Sequence, residues 1–598
     1  MPPLSSRLLA AGAAGLALAG ALVAPVAAAP AAPTATAEAA QSAHTSAAEA
    51  RRVDRVPTPK LDWYACYRWA QCATAQVPLD YDRPNGAQTT VALLRVRARD
   101  QKHKIGSLFV NPGGPGAPAT SLALAAPLFL SDAVLARFDV VGMDPRGIGA
   151  SDQIRCFPSA GKQTKALKAM NDMPFPMGAV ETRSYVTAAR RLARGCATTG
   201  RPLVAAMSTA EVARDMDVMR RAVGDDKLTY LGFSYGTALG QYYANMFPDR
   251  FRALVVDGTI NPRAWVGTPK TADDIQDERL HSADGAYRAL IELLHRCERA
   301  GNTKCAFAGP DTVRKFRTIA NRLKDRPLRV AGGEHVTYAM FVSFVLGALY
   351  DPEAGDEVAG FAADMWELTD PANATVPGEL AAARAAVRER LHTRRIGREF
   401  PYDNDIDAYT AVMCTDGRHP ASANGWARKA AAADRRAPYF GRAWAWASVP
   451  CARDTWTARD EDAYTGPFNR LTARPVLIVG SYWDPATNYR DAVSSAGLLP
   501  NSRLLSSDNW GHTAYGTSSC ATGYVDRYLL YKDLPKAGTV CTGDVQPFTK
   551  EIDRTRAMAV GTAFDLSTAT ADEIVAHGLP AAGAAKLLPP VYRAPFAG

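Results

Sequence analysis

The stretch Leu228-Thr-Tyr-Leu-Gly-Phe-Ser-Tyr-Gly236 decides the architecture of this chain. It places the pattern Gly232-x-Ser234-x-Gly236 after a short apolar run and before a helical run, residues 237–246. A sharp turn from strand to helix forces its central residue into a strained backbone conformation, and the two glycines provide the room. The hydroxyl group of Ser234 is then exposed at the start of a helix, where unpaired N–H groups favour a developing negative charge. The pattern therefore predicts a nucleophile at Ser234.

The run before the nucleophile is one of several apolar runs that end in a Gly- or Asp-containing turn. Strands that are apolar throughout are buried on both faces, which is typical of a parallel sheet covered by helices. Ser208 and Glu211 have the spacing of a capping box that starts a helix between two of these runs. Strand and helix therefore alternate, which predicts an α/β fold with a mostly parallel, doubly wound sheet. The predicted strands are Leu108–Val110, Phe138–Met143, Leu228–Leu231, Ala253–Val256 and Val476–Val479.

A long segment with helical periodicity interrupts this alternation. Apolar residues follow helical spacing in residues 286–294 and 338–350, and strand signals return only at residues 474–480. A helical insertion between two sheet strands predicts a large, mainly helical cap over the strand ends, although an independent inserted domain gives the same pattern. The predicted organisation is a core in two parts, the cap between them and a C-terminal appendage: residues 60–260 and 471–545, residues 261–470, and residues 546–598.

A serine hydroxyl needs a base, and His512 is the histidine that fits this role. Enzymes with a nucleophile on a strand-to-helix turn carry the acid and then the histidine later in the chain. His512 follows a strand-like run, residues 503–505, near the end of the fold. Asp484 lies in the turn after the strand that ends at Gly480, where it can orient the imidazole and stabilise its protonated form. Asp491, seven positions later, is the alternative acid.

A glycine-rich loop, Asn111-Pro-Gly-Gly-Pro-Gly116, follows the first predicted strand. Consecutive glycines let the backbone approach a reacting carbonyl group closely, so the N–H groups of Gly114 and Tyr235 are the predicted oxyanion donors. The loop lacks the dinucleotide fingerprint and the phosphate-binding lysine, and the chain contains no His-Glu-x-x-His motif. We therefore expect no cofactor and no metal ion.

Taken together, these motifs resemble those of the secreted bacterial tripeptidyl aminopeptidases, which belong with the proline iminopeptidase-like serine exopeptidases of the α/β-hydrolase fold. The resemblance extends from about Trp63 to Cys541, and its elements occur in the family's order. Residues 411–416 and 450–456 of the cap also resemble the C-terminal region of that family. The motifs that carry the resemblance are Asn111–Gly116, Asp144–Ser151, Gly232–Thr237, Asp484-Pro485 and Gly511-His512.

The resemblance implies acyl transfer to Ser234 and release of tripeptides from peptides or proteins with free N-termini. Such an enzyme must detect the α-amine of its substrate, and a carboxylate from the cap is an economical means. Asp416 is the candidate for this role. A proline iminopeptidase, an esterase or a lipase would use the same catalytic residues on other substrates. A non-catalytic binding protein on the same scaffold would not need them.

The N-terminus carries an export signal. Arg7 precedes a stretch without polar residues, 8–26, which leads into Ala27-Ala28-Ala29, a pattern that signal peptidase accepts. We predict a signal peptide in residues 1–36 and a flexible leader or pro-segment in residues 37–59, with a retained membrane anchor as the alternative. The mature chain is then a secreted, extracellular protein without stable membrane association.

The cysteine count agrees with export, because the ten cysteines are an even number and no pair has Cys-x-x-Cys spacing. Up to five disulfides are expected, and nearest-neighbour pairing is the simplest arrangement, although the sequence leaves the pairing open. The formal net charge is +9, from 69 Lys and Arg against 60 Asp and Glu, without a long basic run. This excess indicates solubility rather than nucleic-acid binding, and we expect a monomer.

Overall fold

The computed structural model of the protein describes residues 43–330, 335–373, 383–385, 387–388, 390, 402 and 404–552. The predicted signal peptide and residues 553–598 of the predicted appendage lie outside the described residues. In the described part of the chain, no helix is both long enough and apolar enough to cross a bilayer.

A mixed sheet forms the centre of the protein. The strands, in chain order, are β1 (Tyr64–Cys66), β2 (Ala70–Pro78), β3 (Gln88–Val96), β4 (Gly106–Asn111), β5 (Phe138–Met143), β6 (Leu228–Phe233), β7 (Phe251–Asp257), β8 (Leu328–Arg329), β9 (His335–Val336), β10 (Val476–Trp483), β11 (Ser502–Trp510) and β12 (Val540–Thr542). Within the described residues, all except β8 and β9 join this sheet, in the order β1-β2-β3-β5-β4-β6-β7-β10-β11-β12.

The strands from β5 to β12 in this order are parallel, in agreement with the apolar runs of the sequence. Neighbouring residues of β4 pack into different apolar clusters: Phe109 belongs to one and Val110 to the other. Burial on both faces explains why these strands contain so few polar residues. The strands β1, β2 and β3 extend the sheet in antiparallel fashion. The predicted α/β class with a mostly parallel sheet is confirmed.

Helices of the core pack on the sheet, and the predicted helix before β6 spans Thr209–Ala222. The Oγ atom of Ser208 accepts the Glu211 N–H at 3.3 Å, as the capping pattern predicts. The Glu211 carboxylate pairs with the buried Arg214 at 2.7 Å instead of closing the box, because a buried guanidinium needs a counter-charge. The other helices outside the cap are Ala47–Asp54, Ala119–Leu124, Ala126–Phe129, Asp132–Arg137, Ala160–Asp172, Ala179–Thr198, Tyr235–Met246, Tyr489–Leu498 and Ser519–Tyr531.

In its described residues, the segment between β7 and β10 is mainly helical, as its periodicity predicts. These helices share an apolar cluster in which Trp426 and Trp446 are fully buried. The short hairpin of β8 and β9 is the strand structure found in the described part of this segment. The cap boundaries at residues 261 and 470 stay a prediction. The helices of the cap are Pro262–Val266, Gln276–Leu280, Ser282–Ala300, Thr312–Asp325, Tyr338–Ala348, Ala354–Thr369, Asp405–Asp416, Trp426–Arg436 and Phe440–Ala445.

The predicted leader is folded over part of its length. Residues 47–54 form a helix, and Val53 and Val56 are buried in the main apolar cluster. The Glu49 carboxylate pairs with Arg214 at 2.9 Å, which ties this helix to the core. The prediction of a flexible segment is therefore wrong for these residues. Two buried valines and an ion pair hold a helix whose sequence has too few apolar residues to show periodicity.

Nearest-neighbour pairing of the cysteines is confirmed, and no cysteine remains free. The bridges join elements that lie close in the chain, so each closes a loop of at most 40 positions. The five disulfides are Cys66–Cys72, Cys156–Cys196, Cys297–Cys305, Cys414–Cys451 and Cys520–Cys541.

Candidate active site

Ser234 lies where the buried strand β6 ends and the helix Tyr235–Met246 begins. Its backbone has φ 55° and ψ −126°, a conformation that residues with a side chain rarely adopt. A Cβ atom on Gly232 would lie 2.5 Å from the carbonyl oxygen of Gly236, so the turn closes only with glycine there. The Ser234 N–H donates to the carbonyl oxygen of Asp257 at 3.0 Å, which ties the turn to the neighbouring strand β7.

The glycine-rich loop after β4 packs directly against this turn. A Cβ atom on Gly113 would lie 2.7 Å from the nitrogen atom of Tyr235 and 2.9 Å from Cβ of Ser234, so only glycine permits the approach. The Asn111 side chain accepts the Gly113 N–H at 2.9 Å, so that N–H is already in use. Gly114 lines the same pocket as Ser234. The arrangement favours the N–H groups of Gly114 and Tyr235 as the oxyanion donors that we predict.

Asp484 and His512 lie at the same edge of the sheet as Ser234, because each follows or ends a strand of the parallel set. The two carboxylate oxygens of Asp484 lie 3.0 and 2.8 Å from Nδ1 of His512. The side chains are 0% and 2% exposed, respectively. A carboxylate at Nδ1 holds the proton there, so the neutral imidazole carries its lone pair on Nε2. The ring can therefore act as a base through Nε2.

Further donors surround Asp484. Its carboxylate accepts the N–H groups of Ala486 and Thr487 and the hydroxyl group of Thr487, each at 2.8 Å. Burial alone would raise the pKa of Asp484, but His512 and these N–H groups hold it below its ordinary value. The role of Thr487 was not predicted from the sequence. The sequence does contain a pattern that could have indicated it: a threonine lies three positions after an acid in a turn. This spacing is typical of local hydrogen bonds formed by side chains.

Asp257, the last residue of β7, connects the nucleophile turn to the histidine turn. Its carbonyl group binds the Ser234 N–H, and its carboxylate accepts the N–H groups of Tyr515 at 2.7 Å and Ala514 at 3.0 Å. Burial raises the pKa of Asp257 to about 6, although these N–H groups oppose the shift. No role for Asp257 was predicted from the sequence. The sequence pattern that could have indicated its role is an acidic residue at the end of an otherwise apolar strand.

Residues of both the core and the cap line a pocket at Ser234. The core contributes Gly114 and Thr487 beside the nucleophile, and the cap contributes aromatic residues such as Trp265 and Tyr350. Tyr350 also contacts the base: its ring centroid lies 5.2 Å from that of His512, and its carbonyl oxygen accepts the His512 N–H at 3.0 Å. The cap therefore both lines the pocket and contacts the turn that carries the histidine.

Two carboxylates, Asp277 and Asp491, also line the pocket. Burial raises the pKa of Asp277 to about 6, and Nη2 of Arg436 lies 2.9 Å from its carboxylate. Burial also raises the pKa of Asp491 well above its ordinary value, and its carboxylate accepts the Asn261 N–H at 3.2 Å. Asp491 was the alternative acid for the histidine. In the structure it is Asp484 whose carboxylate lies within hydrogen-bond distance of Nδ1 of His512.

The structure does not bring Asp416 to the wall of the pocket. One carboxylate oxygen accepts the Thr209 N–H at 2.7 Å, and the other accepts the Trp265 indole N–H at 2.9 Å and the Thr209 hydroxyl. Burial raises the pKa of Asp416 to about 7, although these donors oppose the shift. The carboxylate already has its partners, so this arrangement does not support Asp416 as the amine-binding residue.

Two acidic clusters among the described residues bring carboxylate oxygens within 4.8 Å of one another, as a cation would require. Arginines already lie beside them. Nη1 of Arg146 is 3.2 Å from Glu211, and Nη1 of Arg214 is 3.3 Å from Asp462. Because these guanidinium groups balance the charge, we assign no metal to either cluster. The clusters are Glu211, Asp460 and Asp462, and Asp80, Asp82 and Asp462.

Two protein-family models match the chain. The model described as alpha/beta hydrolase fold matches residues 106–302, and the model described as TAP-like protein matches residues 437–541. The first match contains the nucleophile turn. The second contains the sheet strands that carry the acid and the histidine.

Curated proteins with similar sequences carry the names of peptidases and of an esterase. The chain is 31% identical to the serine protease Hip1 of Mycobacterium tuberculosis, over 79% of this chain and 87% of the relative. It is also 31% identical to the tripeptidyl aminopeptidase of Streptomyces coelicolor, over 81% of this chain and 87% of the relative. A protein named carboxylesterase B from M. tuberculosis is 31% identical as well, over 81% of this chain and 91% of the relative.

Proposed function

The chain belongs to the TAP-like family of serine hydrolases with the alpha/beta hydrolase fold, and from this premise we propose that it is a secreted tripeptidyl aminopeptidase. The observation that carries the proposal is the buried pair of Asp484 and His512 at the sheet edge that also holds the strained Ser234. These are the parts that an acyl transfer needs: a nucleophile, a base and an orienting acid.

The reaction begins when Nε2 of His512 takes the proton of the Ser234 hydroxyl and the oxygen attacks the scissile carbonyl carbon. The N–H groups of Gly114 and Tyr235 stabilise the oxyanion that forms. Asp484 stabilises the protonated imidazole, which then gives its proton to the leaving amine. The downstream peptide departs and leaves an ester between Ser234 and the N-terminal fragment. Water, activated by His512, hydrolyses this ester and restores the enzyme.

The cap residues at the pocket support exopeptidase action rather than cleavage within a chain. A triad on an open sheet edge would accept internal bonds, whereas the cap residues Trp265 and Tyr350 line the pocket beside Ser234. The carboxylates on the pocket wall, Asp277 and Asp491, are the candidates to pair with the free α-amine of a substrate. The number three comes from the relatives named tripeptidyl aminopeptidase.

A second candidate function is ester hydrolysis, and the relative named carboxylesterase B favours it. Ser234, Asp484 and His512 would perform the same steps on an ester. The leaving group would then be an alcohol instead of an amine. A proline iminopeptidase would differ in releasing a single residue. All three activities would use the same catalytic residues at the sheet edge. The shape and charge of the pocket therefore decide which substrate is hydrolysed.

Export remains part of the proposal. The five disulfides favour an oxidising compartment, since cytoplasmic thiols are kept reduced. We propose that the protein acts outside the cell as a monomer on peptides or proteins with free N-termini.

Mass spectrometry of the products tests the activity. The substrates are peptides of increasing length, each with a free or an acetylated N-terminus. We expect tripeptides from the free peptides and little product from the acetylated ones. Release of single residues, with proline first, would favour the iminopeptidase; cleavage of simple esters without any peptide hydrolysis would favour the esterase.

A further inference from the structure

Three buried carboxylates near the pocket differ in the groups that balance their charge. Asp416 receives N–H and O–H donors from Thr209 and Trp265. Asp277 lies 2.9 Å from the Arg436 guanidinium and also accepts a backbone N–H. Asp491 accepts a single backbone N–H, from Asn261, and forms no ion pair among the described residues. Of the three, Asp491 is therefore the carboxylate with neither a side-chain hydrogen-bond donor nor an ion-pair partner among the described residues; the neighbouring Arg490 lowers its pKa only through its charge.

Asp491 lies in the first turn of the helix Tyr489–Leu498 and is 6% exposed. Its carboxylate accepts one backbone N–H, from Asn261, at 3.2 Å. Among the residues that the structure describes, no Lys, Arg or His forms an ion pair with it. The residue also lines the pocket that contains Ser234. A buried carboxylate with so little compensation is costly in the free protein, and a cation that enters the pocket would reduce the cost.

We propose that Asp491 binds an ammonium group of the peptide substrate, and that this group is the α-ammonium of the N-terminus. The choice of the α-ammonium over a lysine side chain rests on the proposed function. An ammonium group offers three N–H donors, and a charged hydrogen bond to a carboxylate is stronger than a neutral one. Asp491 belongs to the second part of the core, so the core supplies both the nucleophile and the charge that anchors the substrate.

A substitution to asparagine removes the charge and keeps the shape. The asparagine carbonyl oxygen can still accept the Asn261 N–H, so the helix start should be preserved. Reaction of the variant with a small fluorophosphonate, which needs Ser234 and His512 but no ammonium group, confirms a folded site. Asp416→Asn is the matched control, because it removes another buried carboxylate, one that contacts the pocket residue Trp265 but does not itself line the pocket.

The experiment measures kcat/KM on two tripeptide 4-nitroanilides that differ only in a free or an acetylated N-terminus. We expect wild-type protein to prefer the free peptide, and Asp491→Asn to lose about 10- to 100-fold of that preference. Asp416→Asn should keep the wild-type preference. The inference is overturned if Asp491→Asn keeps the preference, or if it slows both substrates equally, since a structural role predicts equal losses.

A second pair of substrates separates this inference from the proposed function. These peptides carry either lysine or norleucine at the residue before the scissile bond. If wild-type protein hydrolyses free and acetylated peptides equally, aminopeptidase action is rejected and the α-ammonium assignment fails with it. A lysine preference that Asp491→Asn abolishes would then still support ammonium binding by Asp491; an unchanged ratio of lysine to norleucine peptides would overturn it.

Discussion

The sheet edge and the cap position their functional residues in different ways. At the edge, Ser234, Asp484 and His512 each lie in the turn that follows their own strand. In the cap, the partners come from distant parts of the chain: Asp277 is balanced by Arg436, 159 positions away. A local turn therefore predicts a catalytic residue, whereas the role of a buried carboxylate depends on partners that its own sequence neighbourhood does not contain.

The largest expected effect tests the sheet edge alone. Ser234→Ala should lower kcat by about 10⁶-fold, because the variant has no hydroxyl group to attack the scissile carbonyl carbon. Thermal unfolding should be unchanged, since the side chain bears on catalysis and not on packing. Rates on a peptide and on a simple ester measure the effect.

The same unit can be tested by combination. His512→Ala alone should cost about as much as Ser234→Ala, and the double variant should be no slower than either. A double variant far slower than both single variants would separate the two residues and contradict the shared role. Residual peptide hydrolysis far above trace levels in Ser234→Ala would place the nucleophile elsewhere.

Removal of one disulfide from the cap and one from the sheet compares how much each bridge contributes to the free energy of unfolding. Replacing both Cys414 and Cys451 by serine opens a loop of 37 positions in the cap and should cost about 4 kcal/mol in the free energy of unfolding. The bridge between Cys66 and Cys72, which joins the antiparallel strands β1 and β2 of the sheet, closes 6 positions and should cost about 2 kcal/mol. Guanidinium unfolding measures both losses. Losses in the reverse order, or free thiols in the denatured wild-type protein, would contradict the loop-closure argument.

The pH dependence of stability tests the burial of Asp416. Its pKa is about 7 in the folded protein and about 4 in an unfolded chain, so between these values the folded state binds the extra proton. Stability from this residue is therefore present below pH 4 and is lost as the pH rises to 7, by at most about 4 kcal/mol.

Denaturant unfolding of wild-type protein and Asp416→Asn at pH 4, 5.5 and 7.5 measures the contribution of Asp416 as the difference between their free energies of unfolding. The wild-type protein should lose stability relative to the variant as the pH rises. A difference that stays constant over this range would show that burial does not raise the pKa of Asp416.

The smallest expected effect concerns Thr487, whose hydroxyl group donates a hydrogen bond to Asp484. Thr487→Val removes the hydroxyl that donates to Asp484 at 2.8 Å and should lower kcat about tenfold, or about 1.4 kcal/mol. Thr487→Ser keeps the hydroxyl and should remain close to wild type. Equal losses in the two variants would show that packing, and not the hydrogen bond, accounts for the effect.

The sequence predicted those parts of the molecule whose signals are local. The strand and turn around Ser234 and the spacing of the cysteines were sufficient, because each depends on neighbours in the chain. Asp257 and Thr487 were missed as supports, since their bonds to the histidine turn and to the acid form only when strands come together. Asp416 was chosen on its motif, but its partner Thr209 lies 207 positions away.

The measurement that tests the central claim most directly is covalent labelling of the protein with a tripeptide phosphonate ester. One reagent carries a free N-terminus, and a second is identical but acetylated. Peptide mapping by mass spectrometry should find one equivalent of label on Ser234, and the free reagent should react at least tenfold faster than the acetylated one. A label on another residue, or equal rates for the two reagents, would contradict a serine exopeptidase that recognises the N-terminus.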